Sequence, residues 1–424
     1  MKDLENFLQA VQDKVGQAKF SERLKEIDNF FINGTPYSSR APKDPLFFYI
    51  AVCTAIARNK GRSYIPIEYA RIYPMLFNLN NRWDVTKKIK NFDERFNNLC
   101  SQKPSQSVDS ILFEILVAIY YAEEGFEVEF IPATDKKSPD LKIYKDGHTK
   151  YIECKKMQRA NAYTYDELDS WYALSGDLLK IANKYCYDGY IAFRFRQPFS
   201  EINLRKIKRY FIRRMQSRNH LKKFRIIDDK SAKITFFPFS SGKLNTIIEQ
   251  PITKSVPSLI NYLTGEFNYR LIYKTLFGGK FSDNSDINLI SSAIIFSCQF
   301  SYTKALEKKS QHIKRLLTDA AKQISEERPG NIHILVEECH NEYIHRLRCQ
   351  KNIDVIHNFI DTNRGVEYIF VHYIKYITPP DRSFDVEETI QYFRRADKFP
   401  VEVPPIWYHS EKYSQGYGTL LIDY

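Results

Sequence analysis

The chain has 424 residues, of which 43% are hydrophobic and 15% aromatic, and this composition excludes an intrinsically disordered protein. It supplies enough apolar surface for two or three folded domains. Lysine and arginine outnumber aspartate and glutamate by 63 to 51, and the resulting formal charge of +12 favours a polyanionic partner such as nucleic acid.

Cysteine spacing and hydropathy indicate the cellular compartment. The seven cysteines form no CxxC pair and no disulfide framework, which is typical of thiols in a reducing compartment. The segment MKDLENFLQA lacks the basic and apolar regions of a signal peptide, and no apolar stretch reaches the roughly 18 residues of a membrane span. We therefore expect a cytoplasmic protein with no membrane partner.

Residues 1–105 are expected to form a helical N-terminal region. Apolar residues recur at helical spacing in segments such as LENFLQAVQDKV and PLFFYIAVCTAIA, and NGTP and KGRS interrupt the pattern. KPSQS, residues 103–107, has the composition of a linker. No purpose for this region follows from its sequence.

Residues 106–200 predict a compact α/β core. In chain order, the pattern indicates a helix (VDSILFEILVAIYYAEE), three strands (FEVEFI, DLKIYK and TKYIECK), a second helix (DELDSWYALSGDLLKIANKY) and a fourth strand (GYIAFRF). We therefore expect a helix, a three-strand meander, a crossover helix and a strand.

Two further regions follow the predicted core. Residues 201–284 form a basic insertion or linker region, in which ten of the 21 residues that begin at Arg205 are lysine or arginine. Residues 285–424 indicate a further α/β portion. Two arrangements are open: either GYIAFRF closes the core sheet and residues 285–378 form a separate α/β layer, or GNIHILVEE and GVEYIFVHYI extend the core sheet, with residues 200–285 inserted.

The stretch SPDLKIYKDGHTKYIECKK, residues 138–156, predicts a β-hairpin. Its central Asp-Gly pair is a turn signal, because both central residues of a type I′ turn need positive φ. Pairing outward from the turn makes paired residue numbers sum to 293 and puts Asp140 opposite Glu153. Side chains alternate along a strand, so Asp140, Glu153 and Lys155 share one face. The apolar face carries Leu141, Ile143, Ile152 and Cys154.

The charged face of the hairpin has the composition of a metal site. Facing carboxylates repel each other unless a cation lies between them, and a divalent metal with Lys155 would supply that charge. Glu114 is the lone charged residue of the helix ILFEILVAIYYA and a third candidate ligand, because a buried carboxylate is costly unless it is paired or metal-bound. These groups are typical of phosphodiester hydrolysis, and the alternative is an ordinary solvated strand face.

The hairpin and its flanking elements resemble the PD-(D/E)xK, or restriction-endonuclease-like, nuclease superfamily. The resemblance covers about residues 107–196 and depends on the order of helices and strands as much as on the short motif. It implies an α/β fold with a restriction-endonuclease-like core, to which the helical N-terminal region and the C-terminal α/β portion are added. The motif residues are Pro139, Asp140, Glu153, Cys154 and Lys155.

The resemblance also implies a role for each residue. Asp140 and Glu153 would bind Mg²⁺ or Mn²⁺, and the backbone carbonyl of Cys154 would complete the ligand set. Lys155 would act on the attacking water. Glu114 matches the acid that many members place on the helix before the first core strand. Every side chain of the motif is present, which favours an active enzyme.

A basic amphipathic helix is predicted after the core. Leu204, Ile207, Phe211 and Met215 fall on one helical face, and basic residues cover the remainder. Such a helix could follow a phosphate backbone. Gln158 and Arg159 lie just past the nuclease motif, where the resemblance implies contact with phosphate. The candidate nucleic-acid-binding residues are Gln158, Arg159, Arg205, Lys206, Lys208, Arg209, Arg213, Arg214, Arg218, Lys222 and Lys223.

Together these features predict a Mg²⁺-dependent endonuclease that hydrolyses phosphodiesters with a metal-activated water and no covalent enzyme intermediate. DNA is expected rather than RNA, and family analogy suggests restriction or anti-phage defence. DNA repair, recombination and mobile-element chemistry are alternatives of the same class. The alternative of another class is a non-catalytic nucleic-acid-binding or assembly subunit with the same fold. A homodimer and a regulatory protein partner are both compatible with the sequence.

Overall fold

The computed structural model has mixed α/β structure and divides into two compact units. The first unit comprises Met1–Arg159, His312–Glu338 and Arg346–Tyr424, and the second comprises Ala160–Gln311 and Cys339–His345. The structure describes residues 2–33, 44–60, 66–101, 108–132, 138–157, 162–185, 187–217, 222–240, 242–245, 247–253, 256–266, 268, 271–281, 286–302, 307, 310, 312–337, 342–360, 362–377, 385–398, 406 and 420–423.

Helices and strands are named in chain order. The helices are α1 (Glu5–Val15), α2 (Gln17–Asn33), α3 (Pro45–Thr54), α4 (Pro66–Asn81), α5 (Trp83–Thr86), α6 (Phe92–Cys100), α7 (Val108–Glu123), α8 (Ala162–Lys184), α9 (Leu204–Ser217), α10 (Val256–Thr264), α11 (Lys314–Ala321) and α12 (Glu342–Ile360). The strands are β1 (Glu127–Phe130), β2 (Leu141–Lys145), β3 (His148–Lys156), β4 (Gly189–Phe195), β5 (Phe224–Asp228), β6 (Ala232–Pro238), β7 (Ile247–Thr253), β8 (Ile272–Phe281), β9 (Asp286–Phe300), β10 (Gly330–Glu337), β11 (Val366–Ile377), β12 (Asp385–Arg394) and β13 (Leu420–Asp423). No helix of the described segments is both long and apolar enough to cross a membrane.

The N-terminal helices and the hairpin belong to the same unit. Helix α7 contacts α4, α5 and α6 and also contacts strands β1 and β3. Because it has neighbours on both sides, α7 is buried around most of its circumference, as its apolar sequence predicts. The helical N-terminal region is therefore a layer over the sheet of the first unit.

The sheet of the first unit contains seven of the described strands, in the order β1-β2-β3-β10-β11-β12-β13. β1, β2 and β3 form the predicted antiparallel meander. β10 pairs in parallel with β3 on one side and with β11 on the other. Helix α11 contacts β3, so the strand that carries the motif has helical neighbours in α7 and α11.

The hairpin of β2 and β3 confirms the predicted register. Lys145 pairs with His148 across the turn, and the outer pairs keep the predicted sum of 293. Asp146 and Gly147 close the turn with φ angles of 52° and 81°. Positive φ at both central residues is the geometry that the Asp-Gly signal predicts.

The later strands extend the sheet that contains the motif. This is the second of the two arrangements that the sequence leaves open. Helix α8 and strand β4, predicted to complete the core, instead lie in the second unit, where β4 pairs in parallel with β9. The inserted segment therefore runs over residues 160–311 and not 200–285, and the predicted core boundary at residue 200 is corrected.

β10 and β4 differ in how their two faces are covered. All eight residues of β10 are buried, as expected for a strand with parallel neighbours on both sides. β4 buries alternate residues, and its Phe193 and Phe195 pack with Trp171 in a separate core. A parallel neighbour of β3 must be connected to it by a crossover, usually a helix, and both β4 and β10 follow a helix. Local sequence rules therefore do not predict which of the two strands pairs with β3.

The second unit has its own sheet. Its described strands follow the order β5-β6-β4-β9-β7, and β8 also pairs with β9. Helix α9 packs its apolar face into the core of this unit, where Ile207, Phe211 and Met215 are buried. The predicted amphipathic character of this helix is confirmed.

The close approach of β10 to β3 depends on Gly330. A Cβ at this position would lie 1.7 Å from the carbonyl oxygen of Tyr151, a backbone atom of β3. We expect Gly330→Ala to push the strands apart and to lower the free energy of unfolding by roughly 2–4 kcal/mol. Urea unfolding followed by circular dichroism measures the change.

Gly176→Ala is the matched control for adding a methyl group. The new Cβ on α8 would meet no atom within 4 Å apart from the adjoining backbone of its own helix. Alanine favours a helix over glycine, so this variant should match wild type or gain up to about 1 kcal/mol. Wild-type stability in Gly330→Ala would contradict so close a spacing of β3 and β10.

Candidate active site

Asp140 stands immediately before β2 and faces the motif residues of β3. Its backbone N–H donates to the carbonyl oxygen of Ile152 at 3.1 Å, which continues the hairpin ladder by one residue. Its carboxylate Oδ2 accepts a hydrogen bond of 2.8 Å from the backbone N–H of Cys154. These two bonds hold the Asp140 carboxylate opposite Glu153, as the register predicts.

Glu153 is completely buried, with no exposed side-chain area. Its Oε1 accepts a hydrogen bond of 2.9 Å from Nε2 of Gln323, in the turn after α11, and forms an ion pair with Lys155. Its Oε2 is buried and has no hydrogen-bond donor among the described residues. One carboxylate oxygen is therefore held in place, and the other is available to a ligand.

The two consecutive lysines of β3 face opposite sides of the sheet. Lys155 shares the side of Glu153. Lys156 forms an ion pair with Asp109 of α7 and lies 3.0 Å, Nζ to Oε1, from Glu337 of β10. Only Lys155 is therefore placed to act with the hairpin acids, and Lys156 belongs to a separate buried ion network.

Burial and mutual repulsion shift the pKa values of the site. Burial and then the Asp140 carboxylate raise the pKa of Glu153 to about 8, against the opposing effect of Lys155. Burial also raises the pKa of Asp140, and the hydrogen bond from Cys154 offsets this only in part. Burial alone would lower the pKa of Lys155, but the two carboxylates outweigh it and raise that pKa. The amine therefore stays an ammonium group at neutral pH.

Glu114 pairs with an arginine. Its carboxylate forms an ion pair with the guanidinium of Arg95 on α6, and both side chains are largely buried. Arg95 also interacts electrostatically with Asp140 and Glu153. The guanidinium thus pairs with the α7 acid and also feels the charge of the two hairpin acids, and a role for Glu114 as a metal ligand stays a prediction.

Sequence analysis missed Arg95 and Gln323. Gln323 is separated from Glu153 by 170 residues and belongs to no motif, so no local signal identifies it. Arg95 offered one signal, because on a helical wheel it lies beside the apolar stripe that includes Phe92 and Phe96. A cation on that stripe is the natural partner for a buried acid such as Glu114.

A divalent metal ion fits the chemistry of these donors. Asp140 and Glu153 supply carboxylate oxygens, the ligands that Mg²⁺ and Mn²⁺ prefer, and Glu153 Oε2 is a buried acceptor open to a cation. Burial raises the pKa of the Cys154 thiol well above its ordinary value, so only its carbonyl oxygen is a candidate ligand. Within the described ranges, no three His, Cys, Asp or Glu side chains are placed to hold a metal together. Water and substrate phosphate would complete the coordination.

No family model, curated protein or solved structure matches this chain. Asp140, Glu153 and Lys155 are therefore assigned to the site by the motif and by their geometry.

The predicted nucleic-acid-binding residues lie mainly on the second unit. Two of those on α9 are engaged in ion pairs, Lys206 with Asp229 at 3.3 Å and Lys208 with Asp177. Lys208 and Arg214 are half-buried. The exposed residues are Arg205, Lys206, Arg209, Arg213, Lys222 and Lys223. Gln158, Arg159 and Arg218 lie outside the described residues.

The raised pKa of Glu153 predicts a pH-dependent stability. With a folded pKa of about 8 and an ordinary value of 4.5, the folded chain holds a proton that the unfolded chain releases, so stability falls as pH rises between these values. In EDTA, we expect Glu153→Gln to gain stability relative to wild type by up to about 1.4 kcal/mol per pH unit over this range. Urea unfolding at a series of pH values measures the difference.

Glu127→Gln controls for the loss of one negative charge, since Glu127 is exposed on β1. The difference between wild type and Glu153→Gln should be smallest near pH 5 and largest near about pH 8. A difference that is constant across this range would show that Glu153 does not titrate between its unfolded and folded values as described.

Proposed function

We propose that this protein is a metal-dependent nuclease that hydrolyses phosphodiester bonds, with DNA as its expected polymer. Asp140 and Glu153 hold the metal, and Lys155 acts beside it. One observation supports this proposal above the others: Glu153 is fully buried, opposite a second carboxylate and next to an ammonium group.

Burial argues against the alternative of an ordinary solvated strand face. On such a face, water would hydrate each charge and the acids would repel each other little. A fully buried carboxylate with a raised pKa instead costs stability, and such costs are typical of functional sites. The buried, unpartnered Oε2 of Glu153 has a use if a cation binds there.

The order of elements also supports the resemblance to PD-(D/E)xK nucleases. Helix α7 and the meander of β1, β2 and β3 are followed, after the inserted unit, by helix α11 and strand β10. β10 is the parallel neighbour of β3. This order of helix, meander, helix and strand supports the resemblance, with α11 and β10 in the places predicted for α8 and β4.

Each motif residue has a distinct task in the proposed reaction. Asp140 and Glu153 would hold Mg²⁺, and the chemistry that a bound Mg²⁺ would supply there is polarisation of a phosphoryl oxygen and a lower pKa of the attacking water. Lys155, as an ammonium group, donates hydrogen bonds to the water or to a phosphate oxygen and offsets the charge that develops. The water oxygen bonds to phosphorus and releases a proton to solvent as the ester P–O bond breaks, and the leaving oxygen takes up a proton from solvent. No covalent enzyme intermediate forms.

We expect wild type to cut plasmid or linear DNA with Mg²⁺ or Mn²⁺ and not with EDTA. Asp140→Asn and Lys155→Ala should each lower the cleavage rate by about 100-fold or more, because the first removes a charged metal ligand and the second removes the cation that offsets charge on the reacting phosphate. Gel assays with additional lanes of single-stranded DNA and RNA identify the preferred polymer.

Asp84→Asn and Lys87→Ala are matched controls for these substitutions. Asp84 and Lys87 form an exposed ion pair of 2.7 Å beside α5, so the same chemical changes are made away from the site. Both controls should cut at the wild-type rate. Wild type that leaves every polymer intact with every metal would contradict the nuclease proposal.

A non-catalytic nucleic-acid-binding subunit is the second candidate function. One observation favours it: Lys155 and Arg95 form ion pairs with Glu153 and Glu114, two of the three acidic side chains. Thermal unfolding with Mn²⁺ separates the candidates. If the protein is a nuclease, Mn²⁺ should raise the Tm of wild type, and Asp140→Asn should abolish this increase. If it is a binding subunit, Mn²⁺ should leave the Tm of both proteins unchanged.

The basic face of α9 predicts salt-dependent binding to nucleic acid. Arg205, Arg209 and Arg213 are exposed and lie four residues apart, so they form one stripe along the helix. Replacing all three with glutamine should weaken DNA binding and reduce the slope of log K against log salt by about 0.9 for each lost phosphate contact. Fluorescence anisotropy in EDTA at several salt concentrations measures both.

Replacing Lys14, Lys19 and Lys25 with glutamine is the control for net charge. These three lysines are exposed on α1 and α2 and carry the same total charge. The control should bind DNA with nearly the wild-type salt slope. Equal slopes for both triple variants would show that binding follows net charge and not the α9 stripe.

A further inference from the structure

Arg95 is held by elements outside the hairpin. The backbone of Lys90 hydrogen-bonds to β1 in both directions, to Val128 and from Phe130, at 3.0 Å each. The side-chain amide of Asn91 donates to the carbonyl oxygen of Phe130 at 2.8 Å. Helix α6 therefore begins at the edge of the sheet, and Arg95 follows one turn later. Its position relative to the sheet is fixed by hydrogen bonds.

The guanidinium of Arg95 is only partly used within the protein. Its Nη2 pairs with Glu114, and 15% of the side chain is exposed. Its Nε is buried and has no hydrogen-bond acceptor among the described residues. A buried donor without an acceptor is costly, and most such groups in folded proteins are satisfied.

Arg58 shows what a structural arginine looks like in the same unit. Its side chain is also 15% exposed and is paired with an acid, Asp28. All three of its nitrogens are engaged, however: Nε donates to Thr54 at 2.9 Å, Nη1 to Asp28 at 2.7 Å, and Nη2 to Asp28 and Ala51 at 3.2 Å each. The contrast indicates that Arg95 retains a donor for a group that is not part of the chain.

The charge balance of the site indicates the sign of that group. When all groups are ionised, the three carboxylates of Asp140, Glu153 and Glu114 exceed the two cations of Lys155 and Arg95 by one charge. A divalent ion makes the total positive by one, and the loss of Arg95 would return it to zero. Among these groups, Arg95 therefore contributes one positive charge beside the candidate metal ligands, which favours an anion such as phosphate there.

We propose that Arg95 binds a non-bridging oxygen of the scissile phosphate, and that Glu114 orients Arg95 and is not a metal ligand. The inference rests on the proposed nuclease function. Arginine suits this role because its planar donors match phosphate oxygens two at a time. Arg95 is then a catalytic residue that touches substrate, and Glu114 is a positioning residue that acts through it.

The test compares DNA cleavage and metal binding in the full chain. Arg95→Ala should lower kcat by about 100-fold, and Arg95→Lys should restore only part of it because lysine keeps the charge but not the planar donors. Calorimetric titration with Mn²⁺ alone should show no weakening of more than about twofold in Kd for Arg95→Ala and Glu114→Gln, because neither variant loses a metal ligand. Loss of a true metal ligand, as in Asp140→Asn, should raise Kd by about tenfold or more.

Arg58→Ala is the matched control, since Arg58 has the same exposed fraction and also pairs with an acid. It should keep the wild-type kcat. Circular dichroism melts identify any variant that fails to fold. If Arg95→Ala does not fold, the kcat of Arg95→Lys is compared with that of wild type instead.

Three results would overturn the inference, and they are distinguishable. If wild type cuts and both Arg95→Ala and Arg95→Lys cut as fast as wild type, Arg95 does not touch the phosphate, and the nuclease proposal still holds. If Glu114→Gln weakens Mn²⁺ binding as much as Asp140→Asn does, Glu114 is a metal ligand. If wild type itself does not cut, the nuclease proposal fails, and the role of Arg95 fails with it.

Discussion

The opposition of Asp140 and Glu153 is the constraint that the surrounding residues must accommodate. The hairpin register places the two carboxylates across from each other, and burial removes the water that would otherwise screen their repulsion. A folded chain tolerates such a pair when cations and hydrogen-bond donors surround it. Lys155, Gln323 and Arg95 provide them, and each comes from a different element of the first unit.

The same burial that makes the pair of acids unfavourable makes it suitable for a cation. Burial raises the pKa values of both acids, and that of Glu153 to about 8, so Glu153 favours its protonated form near neutral pH. A divalent ion would displace that proton, which couples metal binding to pH. Strand β10 keeps β3 in the interior of the sheet, and Gln323, in the turn after α11, contacts the Glu153 carboxylate.

The second unit interrupts the first between β3 and α11 without changing the order of its sheet. A parallel connection has to leave the sheet in any case, and the entropic cost of lengthening it grows only slowly with its length. Each unit has its own core, so the basic face of α9 and the acidic hairpin can be altered independently. In the function proposed above, the first unit carries the candidate active site and the second carries the basic face of α9.

The sequence by itself determined the hairpin, its register, the charged face that holds Asp140, Glu153 and Lys155, and the apolar face of α9. Turn chemistry and side-chain alternation depend on residues that are neighbours in the chain, so they can be predicted from the sequence alone. Only the tertiary structure decided that β10 and not β4 lies beside β3, that Glu114 meets Arg95, and how deeply Glu153 is buried. Two helix–strand pairs satisfy the same local rules, and a contact such as Gln323 with Glu153, across 170 residues, leaves no periodic signal. Packing selects among arrangements that are locally equivalent, and packing exists only in the folded chain.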